Sequence, residues 1–106
     1  MAWVYLVIAG ILEIAWAYSL KQSDGFTRLI PTVITIVTMV GSLALLALAM
    51  RSLPLGTAYT VWTGIGAVGA FAIGIFMFGE MVTPLRVASV VLIVTGIVMM
   101  KLSATV

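Results

Sequence analysis

The sequence predicts an all-α membrane protein with four transmembrane helices, and three observations carry that prediction. Of its 106 residues, 64% are hydrophobic. Only 8% are charged, about a third of the share found in soluble domains. The apolar residues gather in four runs close to the ~20 residues needed to cross the hydrocarbon core of a bilayer, and every Lys and Arg falls between or at the ends of those runs. A transmembrane barrel does not fit, since its strands need segments of about 10 residues that alternate apolar and polar.

The spans are expected at about residues 3–20, 29–50, 55–78 and 85–101, within a single domain covering residues 1–106. The first reads WVYLVIAGILEIAWAYSL. Ala15-Trp16-Ala17 resembles a signal-peptidase site, but a signal peptide opens on a basic segment that Met1-Ala2-Trp3 lacks, so this span is expected to stay in the membrane. The cluster KQSDGFTR follows, rich in turn formers. The second run, Leu29–Met50, ends at Arg51-Ser52-Leu53-Pro54, and the third, Leu55–Phe78, is the richest in glycine. After a break around Glu80 comes the fourth, closed by Lys101. Pro31, Pro54 and Pro84 are expected in first turns, where a missing N–H costs no helical bond. Thr83 is placed to cap the fourth helix.

Composition also narrows function. Four spans leave no room for an extramembrane enzyme, and a scattered net charge of +2 gives nucleic acid nothing to bind. With no Cys and no His, disulfides, thiolate sites and the commonest metal ligand are lacking. No cofactor and no metal are expected.

Charge placement supplies the functional hypothesis. Glu13 stands near the middle of the first run, with every basic residue at the span ends. A charge at that depth costs at least ~2.5–3.5 kcal/mol on insertion scales and by default marks a pathway or relay. Glu13 must therefore hold a proton or find a cation from outside the protein. Topology adds a second constraint. Arg51 and Lys101 fall on one side of the membrane and Lys21, Arg28 and Arg86 on the other. This near balance gives little orienting bias. Four short helices also enclose little space. An antiparallel homodimer of oppositely inserted copies would supply eight helices and two copies of Glu13, with the inverted symmetry that transporters reach through internal repeats.

Near Glu13, the three- and four-residue neighbours are Ala9, Gly10, Trp16 and Ala17. Gly10 permits close helix approach, and Trp16 offers a π face to a cation, against an alternative place in an interfacial belt. On the second helix Thr35, Thr38 and Ser42 form a hydroxyl stripe. Such hydroxyls often bond their own helix, and Ser42 is the candidate partner for Glu13 or a ligand. Tyr59 and Trp62 share a face of the third helix, which Thr63 and Gly66 continue. Gly64 and Gly66 are candidates for packing or hinge positions. The fourth helix is expected to serve packing or dimerisation.

These residues fall into a known pattern. Gly10-x-x-Glu13 with Trp16-Ala17, Gly25-Phe26-Thr27-Arg28, Leu53-Pro54-x-Gly56-Thr57-Ala58-Tyr59 and Trp62-x-Gly64-x-Gly66 closely resemble the small multidrug resistance transporters, and within them the guanidinium-exporting subtype. The resemblance extends over essentially the whole chain. It implies a dual-topology antiparallel homodimer in the inner (plasma) membrane of a prokaryote, exchanging a small organic cation for protons through paired glutamates. The binding site it implies comprises Glu13, Trp16, Ser42, Tyr59 and Trp62. Guanidinium is planar and weakly hydrated, and its forked N–H donors match a carboxylate in two places. Proton and cation would compete for Glu13, Ser42 and Tyr59 would orient the carboxylates, and Trp16 and Trp62 would line the pocket. Two alternatives stand beside this: efflux of quaternary-ammonium or other lipophilic cations by the same exchange, and a pore-forming or assembly protein in which Glu13 is only a helix contact.

Overall fold

In the computed structural model, which describes residues 1–103, the chain forms helices α1 (Ala2–Gln22), α2 (Leu29–Ala49), α3 (Leu55–Phe78) and α4 (Pro84–Ser103). Each is long and apolar enough to cross a membrane, and no strand occurs among the described residues. α1 runs two residues past the expected span end, carrying Lys21 into its last turn, where a cation faces the negative end of the helix dipole.

The helix ends follow local chemistry. Pro31 lies in the first turn of α2, and Pro84 opens α4. Pro54 differs from expectation by one step. It is the N-cap of α3, with φ −60° and ψ 151°, because its extended ψ turns the chain before the helix begins. Thr83 caps α4, its Oγ1 accepting the Arg86 N–H at 3.1 Å. α3 ends on Gly79 in the left-handed region, φ 65°, and the Glu80 N–H turns back to the Gly74 carbonyl at 3.0 Å, the hydrogen bond of a glycine-terminated helix.

Between α1 and α2 the backbone makes an unusual turn. Asp24, Gly25 and Phe26 have φ of 49°, 71° and 67°, three left-handed residues in succession. Ser23, fully buried, holds them. Its Oγ donates to the Leu20 carbonyl at 2.7 Å and accepts the Phe26 N–H at 3.1 Å.

α1 is the axis of the arrangement. It packs along both α2 and α3, which touch each other only sparingly, while α4 packs on α3 alone. No residue of α4 is buried. The apolar core comprises Leu6 and Ala9 of α1, Leu46 and Ala49 of α2, Leu53 of the break, and Ala58, Val61 and Trp62 of α3. It therefore fills the end where α1 and α3 begin and α2 finishes. Glu13 lies one turn beyond it.

Candidate functional site

Glu13 sits where α1 and α3 pack tightly, and glycine makes that approach possible. A Cβ on Gly10 would come 2.6 Å from Ile65 Cγ2, well inside van der Waals contact. One turn on, the carboxyl group of Glu13 lies against the bare backbone of Gly66, where a Cβ would overlap it. Gly69 meets Ile14 in the same manner. Glycine at these positions exchanges helix propensity for interhelical contact, a trade common in membrane helices. The result is a carboxylate pressed against main chain. Its Oε1 is buried without a hydrogen-bond partner among the described residues, and an unpaired buried acceptor is costly.

Ser42 ties the three inner helices together beneath this acid. Its Oγ donates to the Ala9 carbonyl on α1 at 2.6 Å and accepts the Trp62 Nε1–H from α3 at 3.0 Å. In a regular helix the Ala9 carbonyl also accepts the N–H of Glu13, so Ser42 acts on the backbone that carries the acid rather than on its carboxylate. Thr35 and Thr38 do what hydroxyls commonly do in membrane helices: they donate to the Pro31 and Ile34 carbonyls, at 2.8 and 2.7 Å. Ser42 alone of that stripe reaches across.

Trp62 carries the junction outward. Its ring packs against that of Tyr59, with centroids 5.5 Å apart and planes tilted 53°. Tyr59 is 52% exposed, so this aromatic pair grades from the buried junction to an open face. Trp16, half-buried one turn along α1 from the acid, has its indole N–H buried and without a hydrogen-bond partner among the described residues. Among the described residues the site thus holds an unpaired acceptor on Glu13, an unpaired donor on Trp16 and two aromatic rings in tilted contact.

Of the sequence-expected residues, Glu13, Gly10 and Gly66 meet at one seam, while Tyr59 lies on the open face beside it. Gly10 and Gly66 shape it, Gly64 instead receives Ile97 of α4, and Ser42 and Trp62 brace it. Ser42 bonds Ala9 and Trp62, and no hydrogen bond from Ser42 or Tyr59 reaches Glu13 among the described residues. The use of the Ala9 carbonyl had no signal in the sequence, because every residue carries a main-chain acceptor. The role of Gly69 was concealed in a helix with glycines on either side.

A four-helix membrane chain with this seam has known counterparts. Residues 1–93 match the family described as Small Multidrug Resistance protein. The chain belongs to the small multidrug resistance family. Among its relatives is the Guanidinium exporter of Escherichia coli strain K12, 60% identical over 103 residues that make up 97% of this chain and 98% of that one. The Guanidinium exporter of Escherichia coli O6:H1 strain CFT073 is 61% identical over the same shares of both chains. A third, the Guanidinium exporter of Citrobacter freundii, is 57% identical with equal coverage. As a small multidrug resistance protein, the chain is an all-α, multi-pass membrane protein, and the motifs spanning Gly10 to Gly66 lie within the matched region.

Proposed function

We propose that this protein is a proton-coupled antiporter that exports guanidinium and small substituted guanidinyl cations across the inner membrane, with Glu13 as the shared binding group for cation and proton. The observation that carries this reading is the buried, unpartnered Glu13 Oε1 at the bare backbone of Gly66. A carboxylate so placed gains most from a ligand that brings positive charge together with N–H donors. Guanidinium brings both in one plane. The near-complete alignment with relatives named for guanidinium export supports the same substrate class.

Trp16 and Trp62 line the cation's path, and the tilt of Tyr59 against Trp62 offers π faces to a weakly hydrated cation. The Trp16 indole N–H is free to steady a carboxylate oxygen, and Ser42 fixes the helix segment from which Glu13 projects. Two oppositely inserted copies would place two such acids in one chamber, and the balanced loop charges favour that mixed insertion. Exchange follows if the dimer changes its open side only when both acids are neutralised, by protons or by cation. The protein then acts as a transporter and not as an enzyme.

Electrical recording from reconstituted liposomes tests this. Pulses of guanidinium should evoke a saturable current in the wild type and none in Glu13→Gln. The half-saturating guanidinium concentration should rise as pH falls, because protons occupy the same carboxylate. Wild-type currents in Glu13→Gln, or an affinity indifferent to pH, would overturn the reading. Currents with tetraalkylammonium ions alone would replace it with quaternary-ammonium efflux, and a gradient-dissipating leak would replace it with a pore.

A further inference from the structure

A groove on the α4 side of the α1–α3 seam opens at the end of the molecule where α1 begins and α4 finishes. It lies between α1, α3 and α4, has a volume of about 320 Å³, and is walled by Trp3, Val7, Val61, Ile65 and Val98, with Lys101 beside them. Lys101 is exposed, and its Nζ stands 4.6 Å above the Trp3 ring, within cation–π range. The Trp3 contact holds the ammonium over the apolar groove, so a ligand meeting it need not order a free lysine side chain.

Among the described residues, the charged side chains at this end have one sign. Arg51 and Lys101 lie at this end of the molecule, whereas Asp24 and Glu80 both belong to the loops at the opposite end. Glu80 is moreover paired there with Arg86 at 3.7 Å. Among the described residues no acidic side chain competes for Lys101. A hydrocarbon-lined groove at membrane depth, topped by an unopposed ammonium at the interface, is complementary to a molecule with an apolar tail and an anionic head.

We propose that this groove binds an anionic phospholipid, with one acyl chain against Val7, Val61, Ile65 and Val98 and the headgroup phosphate on the Lys101 ammonium. Lysine suits the task as a compact point charge on an apolar stem that lies along hydrocarbon. A single basic residue close to the membrane surface contributes enough to raise affinity for an anionic lipid about fivefold. The lipid would brace α4 against α1 and α3, at the end where the Lys101–Trp3 contact joins α4 to α1.

The test uses the indole already in the groove. The full-length protein is reconstituted in phosphatidylcholine vesicles doped with bromine-labelled phosphatidylglycerol or, separately, with bromine-labelled phosphatidylcholine carrying the same chains. The Trp3 signal is the fluorescence difference between the protein and Trp3→Phe. Half-maximal quenching of that signal is expected at about fivefold less phosphatidylglycerol than phosphatidylcholine. Lys101→Gln should erase the preference while leaving the far-ultraviolet circular dichroism unchanged, and Val98→Phe, which fills the groove, should reduce quenching by both lipids. Equal quenching by the two lipids in the unsubstituted protein would mean bulk bilayer contact only and would overturn the proposal. So would a Trp3 signal that neither lipid quenches, which would mean that protein, such as a second copy of the chain, covers the groove.

Discussion

At the scale of single residues, Ser42 and Gly66 fix the surroundings of Glu13. Ser42→Ala removes the acceptor for the buried Trp62 Nε1–H and the donor to Ala9. Leaving that indole donor unpaired should cost ~1–3 kcal/mol of unfolding free energy, measurable by denaturant titration in detergent micelles. Gly66→Ala places a methyl group on the Glu13 carboxyl. The half-saturating guanidinium concentration should then rise by about tenfold or more, the effect of 1.4 kcal/mol, within the range that overpacking costs. Gly56→Ala is the control, since a Cβ there meets nothing within 4 Å, and its currents should match the wild type. Glu13 itself stands out in the sequence because a lone acid in an apolar run marks a pathway or relay by default. The partner of Ser42 does not, because its acceptor is a main-chain carbonyl that residue identity does not encode.

At the scale of elements, the turn between α1 and α2 shows both what patterning reveals and what it hides. The cluster from Lys21 to Arg28 announces a break through its Ser, Asp and Gly. It does not announce three left-handed residues in succession, since Phe26 has no intrinsic preference for that region and L-residues pay ~1–2 kcal/mol to occupy it. Tertiary order supplies the difference through Ser23, which holds Leu20 and Phe26 with one hydroxyl. Ser23→Ala should lower stability by about 1 kcal/mol and move the thermal midpoint down, with no loss of guanidinium current at temperatures where the protein stays folded. The α3–α4 break was easier to foresee, because Thr83-Pro84 is a helix start by local chemistry and Gly79 is a helix stop.

At the scale of the whole molecule, the chain exposes more surface than its mass requires. A compact protein of 11.2 kDa would show about 5,700 Å², whereas this one shows 6618 Å². Its shortest dimension is 16 Å, the depth of two packed helices, so a single chain is a slab rather than a vessel. The proposed antiparallel pairing would turn two such slabs into an enclosure. The protein in a mild detergent should accordingly show twice the chain mass by light scattering. A balanced loop-charge count hinted at the pairing, but no residue pattern in one chain specifies the face on which a copy would sit.

The attachment of α4 to α3 alone bears on how such a chain can change over generations. The three helices that build the Glu13 seam are joined to the fourth through α3 alone at the level of the backbone. Substitutions on the outer face of α4 would alter with whom the chain associates while leaving the seam's Gly10, Ser42 and Gly66 untouched. After a gene duplication, two descendants could therefore diverge into an obligate pair through one helix, each keeping its inherited cargo.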